Sequence, residues 1–247
     1  MIAELERPEI EAYADAFRAS PDLCEVAEIG GATCILLRRL PERTFSRALG
    51  LTSTAPLDGI AAFFGDSPWW VSDSAGLGPE LEARGFVHDY GWMKFSRGTG
   101  PRQAQSDLHV ELVGADTAED FARVVVGGFG MPDWCVPFAA NVVGRPGWSC
   151  YVAYDGTTPA GAGALFLHGG VGWLGLGATL TEFRGRGAQS AILAARIEDA
   201  RKQGCRTVTT ETGALEDDRP SNSYRNILRA GFRERGVRPN YRAPAPA

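Results

Sequence analysis

The chain has 247 residues, 44% of them hydrophobic and 22% charged, with 25 Lys+Arg against 30 Asp+Glu. That length allows one large domain or two of roughly 100–150 residues, and the apolar fraction supports a buried core rather than a disordered chain. A net charge of −5 excludes the broad basic surface that a nucleic-acid or anionic-membrane binder requires, so neither is an expected partner.

The N-terminal run MIAELERPEIEAYADAF has acidic residues where a signal peptide has basic ones. It reads as an amphipathic helix presenting Leu5, Ile10, Tyr13 and Phe17. CILLRRL (34–40) and WWVSDS (69–74) read as strands, LDGIAAFFG (57–65) as a helix, and LEARGFVHDYGWMKFSR (81–97) closes the unit. The polar run GTGPRQAQSD (98–107) has the composition of a linker. Charge divides there as well: residues 1–105 carry ten Arg/Lys and fifteen Asp/Glu, and residues 106–247 fifteen of each. The expected domains are therefore 1–105 and 106–247.

In the second domain LHVELVG (108–114) alternates like a strand, and AEDFARVVVGGF and MPDWCVPFAANVV read as helices. Between Asp155 and Glu182 no charged residue occurs, but eight glycines and Pro159 argue against a membrane span. That stretch reads as two antiparallel strands (162–168 and 171–180) following WSCYVAYDG (148–156). A helix SAILAARIEDARKQG, with Leu193, Ile197 and Ala200 on one face, leads to strand TVTTET (207–212). A helix around SYRNILRAGF and a last strand in RERGVRPNYR complete the order β-α-α-β-β-β-α-β-α-β. The fold class is α+β with a largely antiparallel sheet. LEARGF and LRAGF each precede a closing strand, a weak internal repeat.

Cys24, Cys34, Cys135, Cys150 and Cys205 are scattered without a CxxC pair, and His88, His109 and His168 add no zinc spacing. Reduced buried thiols, a soluble protein of the cytoplasm and no metal are the expectation.

The segment with chemistry in it is Arg184-Gly185-Arg186-Gly187-Ala188-Gln189-Ser190, between a strand and a helix. A helix N-terminus exposes unpaired N–H groups and partial positive charge, glycines admit close approach of a phosphate, and the two arginines add fixed charge. A P-loop GxxxxGK[ST] is absent, and GxGxxG is matched only in its first two glycines.

These residues and the element order resemble the GNAT N-acetyltransferases, whose pyrophosphate loop follows [QR]-x-x-G-x-[GA]. Arg184 to Ala188 match, and Gln189 stands where Gly or Ala is usual. The resemblance covers about 108–247 and implies acetyl-CoA as acyl donor. It implies that Gly177, Ala178, Thr179 and Leu180 meet the pantetheine arm and thioester, that Arg184, Gly185, Arg186, Gly187, Ala188, Gln189 and Ser190 hold the pyrophosphate, and that Asn222 contributes to cofactor binding. The family pattern NxxAxxLYxxxGF puts a Tyr where this chain has Ile227, with Asn222 and Tyr224 out of register. Proton transfers need a base for the amine and an acid for the thiolate; Glu211, on a strand face with Thr209, and Tyr224 are the candidates. The expected acceptor is a small-molecule amine, ahead of a protein or peptide amine. The alternatives are a non-catalytic acyl-CoA-binding or regulatory module and a purely structural interaction protein. The N-terminal half reads as a shortened, degenerate copy of the same fold, without an RGRG loop. The oligomeric state is left open, a homo-oligomer included.

Overall fold

A computed structural model describes residues 2–42, 44–102, 104, 106–215 and 220–245. In chain order the elements are α1 (Ile2–Arg18), β1 (Cys24–Ile29), β2 (Ala32–Leu37), β3 (Ser46–Leu49), α2 (Leu57–Phe64), β4 (Trp70–Ser72), α3 (Gly78–Ala83), β5 (Val87–Gly98) and β6 (His109–Leu112). They continue with α4 (Ala118–Phe129), α5 (Val136–Ala140), β7 (Trp148–Asp155), β8 (Thr158–His168), β9 (Val171–Thr179), α6 (Ala188–Lys202), β10 (Thr207–Gly213), α7 (Asn222–Arg229) and β11 (Arg233–Arg242). The order from β6 to β11 is the expected β-α-α-β-β-β-α-β-α-β. Strands β1 and β3 carry no alternation strong enough to have been read from sequence. Helix α5 is shorter than expected: Pro132 is extended (ψ 147°) and only a 3₁₀ turn (Asp133–Cys135) precedes the helix.

The chain forms two compact units. The first comprises Met1–Lys94, Thr212–Pro220 and Arg235–Ala247; the second comprises Phe95–Glu211 and Ser221–Glu234. The division falls inside β5, not at the expected cut near residue 105. The polar run explains the difference, because it is tied down within the second unit: Thr99 Oγ1 donates to Cys205 O (2.8 Å) and Ser106 Oγ to Arg186 O (3.1 Å).

In the first unit β1, β2 and β3 are antiparallel neighbours, β3 and β4 are parallel, and β4 pairs antiparallel with β11 through Ser72↔Asn240. An apolar cluster including Leu36, Ile60, Phe64, Trp69, Val71 and Tyr241 fills it. Helix α1 buries Ile10 and Phe17 as expected. It also buries Glu6 and Glu9, which share that face at i, i+3 spacing.

In the second unit β6, β7, β8 and β9 form an antiparallel run, and β10 joins β9 in parallel. The charge-free stretch is thus the β8–β9 pair, and among the described residues no helix is long and apolar enough to cross a membrane. Helix α6 packs Ala188, Ile192, Arg196 and Ala200 inward at i, i+4 spacing, beside Leu193 and Ile197. The helix-Gly-Phe-strand ending does recur locally. Phe86 N donates to Leu81 O (3.1 Å) after Gly85 (φ +83°), and Phe232 N donates to Ile227 O (3.3 Å) after Gly231 (φ +80°). Both are left-handed glycine helix stops.

Candidate functional site

The site begins where β9 leaves its ladder with β10. The parallel register pairs Val171–Trp173 with Thr207–Thr209, and Thr210 Oγ1 reaches Leu174 O (2.8 Å). Beyond it, Gly175–Thr179 continue β9 outside that ladder. On the other side β9 is irregular: Ala162 faces Ala178 while Ala164 faces Gly175, so Leu176 and Gly177 together oppose Gly163. This is a β-bulge. Leu176 sits at φ +52°, the one non-glycine residue with positive φ among those described, a conformation that costs an L-residue roughly 1–2 kcal/mol.

Two side chains of α6 take up the carbonyls around this bulge. The Arg196 Nη1 donates to Ala164 O (3.0 Å) and Gly175 O (2.9 Å). The Gln189 Nε2 donates to Ala162 O (3.1 Å), Ala178 O (2.5 Å) and Thr179 Oγ1 (3.2 Å). Gly163 permits the approach, since a Cβ there would lie 2.8 Å from Arg196 Cζ. Arg196 is 2% exposed, and burial lowers its pKa to about 10, which still leaves it charged at neutral pH. The departure at position 189 from the family pattern is therefore a structural substitution with a visible purpose: the side chain is turned onto the strand and ties down Ala178 and Thr179.

The loop from Arg184 to Gly187 follows β9 and ends at the N-terminus of α6. Gly185 (φ +82°) and Gly187 (φ +83°) are both left-handed. No side chain caps α6 and no acidic residue lies in its first turn. Its amides are thus available to an anion, reinforced by the helix dipole. A Cβ built on Gly185 meets no atom within 4 Å, so the space beside it is open. These features fit a pyrophosphate. Arg186 is less available than its sequence position implies, because it makes a bidentate pair with Asp155 (2.5 and 2.8 Å). Hydrogen bonding from Arg186 holds the Asp155 carboxyl below its usual range.

The supposed linker supplies what sequence reading missed. Arg102 Nη2 donates to Ser190 Oγ (3.0 Å), while its Nη1 is buried without a hydrogen-bond partner. Burial, then the charge of Arg97, pulls the Arg102 pKa down. No periodic signal marks this residue; only its charge within a polar run could have drawn attention to it.

The remaining candidates are on β10 and α7. Glu211 is half-buried at the unit's end of β10, on the face shared with Thr209, whose buried Oγ1 lacks a hydrogen-bond partner. Tyr224 is 2% exposed, lies edge-on to Phe95, and donates to Glu234 Oε1 (2.6 Å). Burial, and then Glu234, push its phenol up to about 12. Asn222 opens α7 and accepts from Arg225 (3.2 Å), and Ile227 is buried. The structure thus ties Ala178 and Thr179 to Gln189 and Ser190 to Arg102, while Leu180 N donates to Ala160 O and Asn222 is engaged by Arg225. A cavity of about 550 Å³ is lined by Glu119, Arg123, Asp133, Val136, Pro137 and Ala140. Among the described residues, no group of three or more His, Cys, Asp or Glu is placed to hold a metal.

Residues 128–223 match the model of the acetyltransferase (GNAT) family. This segment is a GNAT domain. Solved structures agree on the fold. A GCN5-related N-acetyltransferase from Kribbella flavida is 15% identical with TM-score 0.67, over 96% of each chain. One from Sphaerobacter thermophilus is 16% identical with TM-score 0.63, over 99% of this chain and 93% of the other. A tandem GNAT protein from the clavulanic acid biosynthesis pathway is 12% identical with TM-score 0.64, over 99% and 96%. No curated protein sequence matches the chain. Membership of the segment in the GNAT family implies acyl-CoA-dependent acetyl transfer, and the bulged strand, the open glycine loop and the uncapped α6 lie within it.

Proposed function

We propose that the GNAT domain is an acetyl-CoA-dependent N-acetyltransferase that acetylates a small-molecule amine by direct attack in a ternary complex. The observation that carries this is the open, left-handed Gly185/Gly187 turn feeding the uncapped N-terminus of α6 beside the bulged end of β9. Loop amides from Gly185 to Ser190 hold the pyrophosphate, and Gly177–Leu180 line the pantetheine and thioester. The neutral amine attacks the thioester carbonyl, the C–N bond forms as the C–S bond breaks, and the departing thiolate takes a proton. Glu211 accepts the amine proton. Tyr224 is the acid in this reading; its hydroxyl, which donates to Glu234 (2.6 Å), has to exchange that acceptor for the departing thiolate. Five free, buried cysteines are in keeping with a reducing, cytoplasmic setting. The N-terminal unit is read as a degenerate copy lacking the phosphate loop. A screen of small amines with acetyl-CoA, monitored by release of free thiol, tests the reading; activity on at least one amine is expected.

A second reading is favoured by one observation, the buried Ile227 at the usual Tyr position. It is an acyl-CoA-binding module without turnover, and tight acetyl-CoA binding with no thiol release across the screen would establish it.

The Asp155–Arg186 pair gives a prediction with two signs. Asp155→Asn frees the guanidinium and should tighten acetyl-CoA binding roughly two- to fivefold at low salt, the gain vanishing as salt screens it. Arg186→Glu sets two carboxylates side by side at the loop and should weaken binding. Calorimetric titration at two ionic strengths measures both.

A further inference from the structure

The segment ahead of β6 makes two bonds to the loop and helix that the acyl-CoA reading gives to the cofactor. Ser106 Oγ donates to Arg186 O (3.1 Å), and Arg102 Nη2 donates to Ser190 Oγ (3.0 Å). Both Arg102 and Ser106 lie outside the matched stretch 128–223, so the family pattern assigns neither of them a part.

The second bond carries more chemistry. Arginine has no acceptor, so Ser190 Oγ takes the hydrogen bond and its own O–H proton is left for a further acceptor. Ser190 is half-buried, in the first turn of α6. The first bond within the helix runs from Ala191 N to Gly187 O (3.0 Å), so the amides of Ala188, Gln189 and Ser190 precede it and have no acceptor in the helix. The Ser190 hydroxyl therefore adds a side-chain donor to three backbone donors at one helix start. A cationic partner on its oxygen polarises the O–H and strengthens the bond it donates.

Charge points the same way. Arg186 is neutralised by Asp155 (2.5 and 2.8 Å). Arg102 is half-buried, and the charge that shifts it is another cation, Arg97, which adds to burial in lowering its pKa. A guanidinium held there is costly on its own and is relieved by an anion bound at the helix start. We propose that Arg102 is a positioning residue for the acyl donor: it turns the Ser190 hydroxyl to the pyrophosphate and supplies the charge behind it. The proposal rests on the acyl-CoA reading of the loop. Ser190 touches the phosphate, and Arg102 acts through it.

Calorimetric titration of the full chain with acetyl-CoA and with its 3′-dephospho form tests it. Arg102→Gln keeps a donor for Ser190 Oγ and removes the charge, whereas Arg102→Lys keeps both. Arg102→Gln should weaken binding about tenfold, equally for the two ligands, and Arg102→Lys should stay within about twofold of the unsubstituted chain. Ser190→Ala should also lose about tenfold, and adding Arg102→Gln to it should cost little more, because the two residues act as one chain of bonds. If the Arg102 variants do not fold, Ser190→Ala decides alone. Undiminished affinity in Arg102→Gln or in Ser190→Ala overturns the proposal. So does a loss confined to acetyl-CoA, which would place Arg102 at the 3′-phosphate. Those results leave the acyl-CoA reading standing; no binding by the unsubstituted chain at millimolar acetyl-CoA removes that reading and the proposal with it.

Discussion

Replacing Arg196 with methionine is expected to destabilise the fold by about 3 kcal/mol, seen as a Tm lower by about 6–12 °C, and to weaken acetyl-CoA binding at least tenfold. Two effects combine. Methionine fills much of the same space but removes the donor that Ala164 O and Gly175 O share through Nη1 in a buried setting. The bulge they flank also loses its support from the α6 side, so Leu176 has less to hold it at φ +52°. A strained backbone persists only while its surroundings over-determine it. Arg196→Lys keeps the charge but not the planar fork that reaches two carbonyls, and should fall between the two. Calorimetric unfolding and titration of the same samples check both parts. Normal affinity with lowered Tm would mean that the bulge does not depend on Arg196.

The second large effect is expected at the loop. Gly185→Val should reduce acetyl-CoA affinity at least a hundredfold while lowering stability by only about 1–2 kcal/mol, the cost of a left-handed L-residue. The side chain meets no protein atom within 4 Å of its Cβ, so its bulk falls in the space assigned to the pyrophosphate. Gly204→Val is the matched control. That glycine also has φ +83° and open surroundings but lies past the other end of α6, roughly 25 Å along the helix axis. It should lose similar stability and no affinity. Equal affinity losses in the two variants would move the binding site away from the loop.

The apolar pattern was a good guide wherever the buried residues were themselves apolar. It placed all the elements of the second half in order and located the glycine loop between β9 and α6. It failed wherever charge is buried. Glu6 and Glu9 on α1 and Arg196 on α6 occupy inward positions at helical spacing, yet a polarity reading assigns each to solvent. The bulge was invisible for a related reason, because Leu176 and Gly177 continue an ordinary strand pattern and only pairing to β8 reveals the extra residue. Gln189 looked like a small defect in the phosphate-loop motif; its three acceptors lie on neighbouring strands at residues 162–179, a contact that sequence order does not show. The run 98–107 had a linker's composition, but Thr99, Arg102 and Ser106 each make a specific bond within the second unit. Composition records solvation tendency, not where a donor ends up.

On the proposed reading the loop and the bulged strand end together bind an acyl-CoA thioester. Isothermal titration of the full chain with acetyl-CoA tests it most directly. One site per chain with micromolar affinity is expected, lost in Gly185→Val and retained in Gly204→Val. No detectable binding at millimolar acetyl-CoA would contradict it.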